Sequence, residues 1–399
     1  MPQEILDQLS ADAARYQQIR HDLHAHPELG FEEHRTAALV CEELRRLSIG
    51  FHANIGRTGV VGFIPGRETS SGRAIGLRAD MDALPIRECT GLGYASADDG
   101  KMHACGHDGH VAMLLAAAAY LQRTRNFNGV VYLIFQPGEE GHNGGLEMVK
   151  DGLFERFPIE EIYALHNWPA LPLGTVSIPV GPVMAASDRI TIRIRGKGGH
   201  GGIAPQRTVD PVLIAGHVIV AAHSIVSRNL DPLDAGVLSL CAVAGGNLAG
   251  FNVIPDEVVL TGTARSLRPE VQQVLQARLR ETVESVSRGL GGSATLDYEP
   301  NVPATVNTEP QTRLARLAAQ DVVGEQHVVR HPVPSLGGED FAYMLRERPG
   351  AYLHLGTGDP DHVHGLHTSH FDFNDAAIPI GSAVLSRIAE RALPLDNNN

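Results

Sequence analysis

The sequence predicts an α/β protein of two domains, a catalytic α/β/α sheet domain interrupted by an inserted ferredoxin-like (βαββαβ) satellite domain. Three observations predict it. The chain has 399 residues, more than one ordinary domain needs. Short apolar runs bounded by Gly, Pro or Asp alternate with a longer apolar stretch before residue 170, the pattern of strands covered by helices. From about Asp188 the texture changes to strict alternation, as in DRITIRIRG, which marks a strand with one face in water.

In order, the first segments read helical through IRHDLHAHPELG, break at Pro27 and resume at TAALVCEELRRL. Strands are expected at Gly59–Ile64, Ala74–Leu77, Val130–Phe135 and Ile162–Leu165, with a helix at Val111–Leu121. The second texture counts as a strand near Ile190–Arg195, a helix near Pro211–Arg228, strands near Gly236–Val243 and Glu257–Arg265, a helix near Pro269–Leu290 and a strand near Ala294–Tyr298, which is β-α-β-β-α-β order. After Pro303 come a helix near Thr312–Val322, a glycine-rich turn SLGGEDF, a strand AYLHLG and a final helix near Ala377–Arg391. The expected domains are residues 1–182 and 300–399 for the catalytic part and 183–299 for the satellite. The terminal asparagines are expected to fray.

Composition excludes several classes. Lys and Arg total 33 against 46 Asp and Glu, a net charge of −13, so no cationic footprint for nucleic acid is present. The N-terminal segment lacks a signal-peptide pattern and no uninterrupted apolar run suits a membrane span, so a cytoplasmic protein without a membrane partner is expected. Four scattered cysteines fit a reducing compartment. The 20 histidines stand out, because imidazole is both a metal ligand and a proton carrier.

The densest constellation is KMHACGHDGH, where His103, Cys105 and His107 recur at skip-one spacing; thiolate beside imidazole suits a transition metal. Alternatively Cys105 packs as a small hydrophobe. VVYLIFQPGEEG ends an apolar strand on the adjacent Glu139 and Glu140, which repel unless a cation or a proton intervenes. At a metal site one ligates while the other takes a proton from water; otherwise this is an exposed acidic turn. His166 in EIYALHNWP, and Asp80 and Asp82 in RADMDALP, also follow apolar runs, where open α/β sheets place their sites. Each aspartate could instead cap a turn.

DPDHVHGLHTSHFDFND offers His362, His364, His367 and His370, and spacing does not choose among them. Glu339 and Asp340 in GGEDF read as helix N-caps or as acceptors behind a site, the cap being favoured. GKGGHG at 196–201 fits a dinucleotide-binding pattern, but no helix follows at once, which argues against that cofactor; His200 there could donate to an oxyanion. A Cys105 nucleophile with a histidine base is possible, yet it leaves Glu139, Glu140 and His166 without a role.

HACGHDGH, FQPGEEG, LHNWP, GGHGGIAP, NVIPDEV, GGEDF and LHTSHFDFND, in that order, resemble the N-acyl-L-amino-acid amidohydrolases and hippurate hydrolases, di-metal peptidase relatives similar to plant auxin-conjugate hydrolases and more distantly to aminoacylase and peptidase T. The resemblance implies two divalent ions held by Cys105, His107, Glu140, His166 and His367, with Glu139 as general base and Asp82 as the supporting aspartate; a thiolate donor leans toward zinc, while the imidazole and carboxylate share also suits manganese, nickel or cobalt. It implies that His200, Asn252 and Arg265 bind the substrate's carbonyl or carboxylate and that the satellite domain makes a homodimer. Metal ligation by Asp80 is not implied. The expected activity is metal-dependent cleavage of the amide of an N-acyl or N-aroyl amino acid to a carboxylic acid and an amino acid. A dipeptidase or other small-amide hydrolase of the same fold, a cysteine-nucleophile amidase, and a non-catalytic metal-binding protein are the alternatives.

Overall fold

The computed structural model describes residues 2–395; the asparagine tail expected to fray lies outside the described residues. The chain divides into two units, one made of residues 1–183, 306–333 and 340–399 and the other of 184–305 and 334–339.

The first unit opens with helices α1 (Pro2–Ala11), α2 (Ala13–Ala25) and α3 (His34–Arg46). Strands β1 (Gly50–Ile55), β2 (Gly59–Pro65) and β3 (Ala74–Asp80) follow, then helix α4 (His107–Thr124), strand β4 (Val130–Gln136) and strand β5 (Glu161–Pro172). The strand Gly350–Gly358 returns late in the chain to lie parallel to β5 with His354 opposite His166. The seven-stranded sheet runs β1-β2-β4-β3-β5, then Gly350–Gly358, then Val176–Ser177. Its central pairs, β4 with β3, β3 with β5 and β5 with Gly350–Gly358, are parallel, whereas β1–β2 and β2–β4 are antiparallel. Every residue of β3 is buried, so both faces of the sheet are covered, as parallel centres require. Helix α4 is buried from His107 to Leu121 and packs against β3, α2 and the C-terminal helix Ala377–Ala392. The core there is Val111, Leu114, Leu115, Leu77, Phe135, Leu353 and Ile388.

The second unit has the ferredoxin-like order. Its antiparallel sheet runs Gly236–Gly245, Glu257–Ser266, Ala186–Arg195, Ser293–Val302. In Ala186–Arg195, Ile190, Ile192 and Ile194 are buried while Arg189, Arg193 and Arg195 face solvent, the period of two read from the sequence. Two helices pack on each other and on the sheet. Pro269–Gly289 buries Val271, Leu275, Leu279 and Val283 along one stripe. Pro211–Asn229 starts with proline at its first position behind Asp210, whose carboxylate accepts the Val212 N–H at 2.8 Å, a standard helix start. By length and composition alone this second helix is apolar enough to cross a membrane; its buried Ile214, Ala215, Val218, Ala222 and Ile225 instead join the unit's core.

Candidate metal centre

The carboxyl ends of β3 and β4 and the middle of β5 converge with the first turn of α4. β3 delivers Asp80 and, two residues on, Asp82. β4 ends at Gln136, and Gly138 in the left-handed region (φ 57°) turns the chain so that Glu139 and Glu140 follow at once. Glycine suits that turn because a side chain is strained at positive φ. β5 carries His166, and Gly106 (φ 92°) bends the HACGH loop into α4, so His107 is the first helical residue.

These elements bring the sequence-predicted donors together in overlapping groups whose ligand atoms lie within 4.8 Å of one another: Cys105 with Glu140 and His367, and His107 with Glu139 and Glu140. Glu140 is common to both. His166 joins through its Nε2, 3.5 Å from the Cys105 Sγ, and His367 Nε2 stands 3.1 Å from Glu140 Oε1. Gly106 separates Cys105, a loop residue, from His107, the first residue of α4, and each of the two shares a group with Glu140.

Histidine orientation fits metal binding. His107 Nδ1 donates to the Asp82 carbonyl at 2.9 Å and His166 Nδ1 to the Asn167 carbonyl at 2.7 Å. In each ring Nδ1 is fixed and Nε2 is left toward the cluster, and the buried His107 Nε2 has no hydrogen-bond partner. A ring pinned at one nitrogen with the other free is how metal-bound imidazoles are held. Asp82 also accepts the Glu140 N–H through Oδ2 at 2.9 Å.

Burial and neighbouring charges shift the titrating groups of the site. Burial, then the Glu140 and Glu139 carboxylates, push the Cys105 thiol well above its ordinary range. Burial opposes charge on His107, but Asp80 and Asp82 outweigh it and lift the ring to about 10. Burial and then His110 hold His166 well below its ordinary value. A buried thiol among carboxylates is the opposite of the electropositive setting that activates a cysteine nucleophile, so the Cys105-nucleophile alternative loses its support. A divalent cation would reverse that balance, and sulfur, imidazole and carboxylate donors fit one.

Sequence reasoning missed a layer behind the donors. His110, one turn beyond His107 on α4, places Nδ1 2.5 Å from Asp80 Oδ1 and receives the Asn167 N–H on Nε2 at 3.0 Å. Asp80 also meets Arg78 at 2.8 Å, and burial notwithstanding, Arg78, His107 and His110 hold its carboxyl well below the usual range. The i, i+3 spacing of His107 and His110 in HDGH was the available signal. Asp340 corrects the cap expectation: its side chain makes no cap on helix Phe341–Glu347 but accepts from Gln136 at 2.6 Å and from the Gly145 N–H at 2.7 Å. His103 is buried, its ring without hydrogen-bond partners, and stands in none of the donor groups among the described residues.

The remaining predicted residues belong to the second unit. His200 ends the short strand Gly199–His200, and Asn252 is the turn residue just before its antiparallel partner Val253–Ile254, with the Asn252 Nδ2 3.4 Å from the His200 Nε2. Arg265 sits apart on Glu257–Ser266, half-buried, with Nη1 unpartnered. The glycine-rich 196–201 segment leads into a turn and a short 3₁₀ stretch, Pro205–Arg207, rather than a helix, so the phosphate-cradling geometry of a dinucleotide site is missing there.

Residues 76–391 match the family described as peptidase family M20/M25/M40. The chain belongs to that family. A hippurate hydrolase of Campylobacter jejuni is 36% identical over 95% of this chain and 96% of its own. An N-acetyl-L-cysteine deacetylase of Bacillus subtilis is 40% identical over 94% and 87%. A Bacillus subtilis crystal structure described as a dinuclear metal binding peptidase of the M20 family superposes with a TM-score of 0.84 at 34% identity, covering 96% of this chain and 99% of that one. As an M20/M25/M40 member, the protein is a metal-dependent hydrolase of amide bonds.

Proposed function

We propose that the protein hydrolyses N-acyl or N-aroyl amino acids, hippurate-like substrates, to a carboxylic acid and a free amino acid. The observation that carries this reading is the arrangement of Glu139 beside Glu140 within the groups that also contain Cys105, His107 and His367; relatives named as a hippurate hydrolase and a deacetylase support the substrate class. Cys105, His107, Glu140, His166 and His367 would hold two divalent ions, which supply charge to polarise the amide carbonyl and to acidify water.

The chain's own residues do the rest. Glu139 takes the proton of the attacking water on a carboxylate oxygen and returns it to the departing amine, so one group serves as base and then acid. Asp82 orients His107 through its carbonyl and holds the Glu140 backbone. His200, Asn252 and Arg265 bind the substrate's carbonyl or carboxylate in this reading. We also propose a homodimer built on the satellite unit, since helix Pro211–Asn229 exposes Val212, Leu213 and Val220, and a cytoplasmic location, in keeping with four free cysteines.

The test is a substrate panel on protein reconstituted separately with zinc, manganese, cobalt and nickel: hippurate, N-acetyl and longer acyl amino acids, and dipeptides. Hydrolysis of acylated amino acids, abolished by chelation and restored by metal, supports the reading. Preference for dipeptides with a free amino terminus would overturn it.

A further inference from the structure

Helix α2 supplies no candidate donor, yet one of its faces grips both segments that do. Gln17, Arg20, His21 and His24 recur at the spacing that stacks side chains on one side of a helix. Arg20 at the centre is fully buried, and its guanidinium meets three carboxylates. Nε donates to Asp108 Oδ2 at 2.9 Å, Nη1 to Asp375 Oδ1 at 3.2 Å, and Nη2 to Asp372. Asp108 directly follows His107 in the first turn of α4, and Asp372 and Asp375 close the loop that carries His367.

The neighbours on the same face repeat the pattern. His24 Nδ1 lies 2.9 Å from Asp108 Oδ2, while Gln17 Nε2 and His21 Nε2 reach Asp375 Oδ2 at 2.9 and 2.7 Å. Tyr94 donates to Asp372 Oδ2 at 2.9 Å and offers its ring to Arg20, whose Cζ is 4.7 Å from the centroid. A planar fork of five donors can bridge three carboxylates at fixed angles; a lysine, a point charge on a flexible stem, cannot.

A second observation shows why such a grip is needed. His367 adopts φ 61°, the left-handed region that is unfavourable for a residue with a side chain. Such a conformation persists only where its surroundings over-determine it. One constraint is the hydrogen bond from His367 N to the Ala104 carbonyl at 2.8 Å, joining the two donor segments directly. The other is the Arg20 fork, anchored on one side to the residue after His107 and on the other to the end of the His367 loop.

We propose that Arg20 is a positioning residue for the metal centre. By holding Asp108 and the Asp372–Asp375 pair at once, it sets the separation of Cys105 and His107 from His367, and thereby how tightly the position that uses His367 retains its cation. The inference rests on the metal-centre reading given above.

The experiment compares wild type with Arg20→Lys, Arg20→Met and Asp375→Asn, each stripped with chelator and titrated with Zn²⁺ and Co²⁺ against a chromophoric competitor. Leu44→Ala, a buried change on α3, controls for general loosening. In the arginine variants one of two ions should bind about 10- to 100-fold more weakly, the range for residues that orient metal ligands. The Co²⁺ absorption spectrum of that ion should change, and Asp375→Asn should show a smaller loss in the same direction. Leu44→Ala should lower the melting temperature and leave both affinities as in wild type. If Arg20→Met fails to fold, Arg20→Lys and Asp375→Asn carry the comparison. Wild-type affinities and spectra in both of those would overturn the proposal while leaving the metal centre standing. A wild-type protein that binds no pair of ions would overturn the metal centre itself.

Discussion

Asp82 serves two candidate donors from different elements: its carbonyl oxygen lies 2.9 Å from His107 Nδ1 and its carboxylate 2.9 Å from the Glu140 N–H. One residue after β3 thus fixes both the first turn of α4 and the turn after β4. Asp82→Ala removes the carboxylate and is expected to weaken metal binding about 10- to 100-fold, with a matching fall in turnover at limiting metal. Asp82→Asn keeps an oxygen that can accept the Glu140 N–H, so it should fall between the two. Metal titration and kinetics on both variants check this; equal metal affinity in wild type and Asp82→Ala would remove Asp82 from the site.

Glu139 carries a different expectation. Glu139→Gln preserves size and removes the proton acceptor, so turnover should drop about 10²- to 10⁴-fold while metal content stays near that of wild type. Elemental analysis alongside kinetics separates the roles. Turnover close to wild type would end its assignment as base, and loss of metal would make it a donor instead.

Removal of metal should be felt in stability as well as activity. The ligand atoms of Cys105, Glu140 and His367 come from three separate segments and lie within 4.8 Å of one another, so an ion bound there would tie those segments together. A ligand present at about 100 times its dissociation constant stabilises a fold that alone binds it by ~2.7 kcal/mol. Denaturant titrations with and without chelator should therefore show a midpoint lowered by chelation and restored by adding the ion back. Superimposable curves would mean that the folded chain holds no ion.

The α2 face predicts a pH response. Burial disfavours charge on His24, but Asp108 and then Glu88 outweigh it and raise the ring to about 9, above an ordinary value of 6.5. A group whose folded value is raised stabilises the fold fully below its unfolded value and loses that contribution as pH climbs through the folded one. Stability should therefore decline between about pH 6.5 and 9 in wild type, and His24→Gln should flatten that decline. Chemical denaturation at stepped pH measures it; parallel slopes for the two proteins would refute the assignment.

Much of the architecture was legible because burial leaves a period behind. Ile190, Ile192 and Ile194 alternate with arginines, and the spacing of Val271, Leu275, Leu279 and Val283 marks a helix. β1 was not legible: of Gly50–Ile55 only Ile55 is buried, so no apolar rhythm betrays an edge strand. Helix α4 starts at His107 rather than Val111, since its first turn is buried through polar contacts to Asp80, Asp82 and Arg20 that no hydropathy pattern records. The same holds for Asp340, whose partners Gln136 and Gly145 are remote in sequence. At the site, the donor residue types were visible in compact motifs, whereas Arg20 and His24 sit on a helix whose inward face is polar and resembles a solvated surface.

The strand Gly350–Gly358 lies beside β5 in the sheet but is made long after it. During synthesis, β5 must therefore wait with one edge open while the entire satellite is translated, and the donor cluster lacks His367 until that residue has been made. Open edges of this kind invite pairing with the wrong chain. Nascent chains arrested before residue 350 should accordingly release a protease-resistant satellite and leave the sheet unit digestible, so that the order of manufacture delays assembly of the donor cluster until the His367 loop has been made.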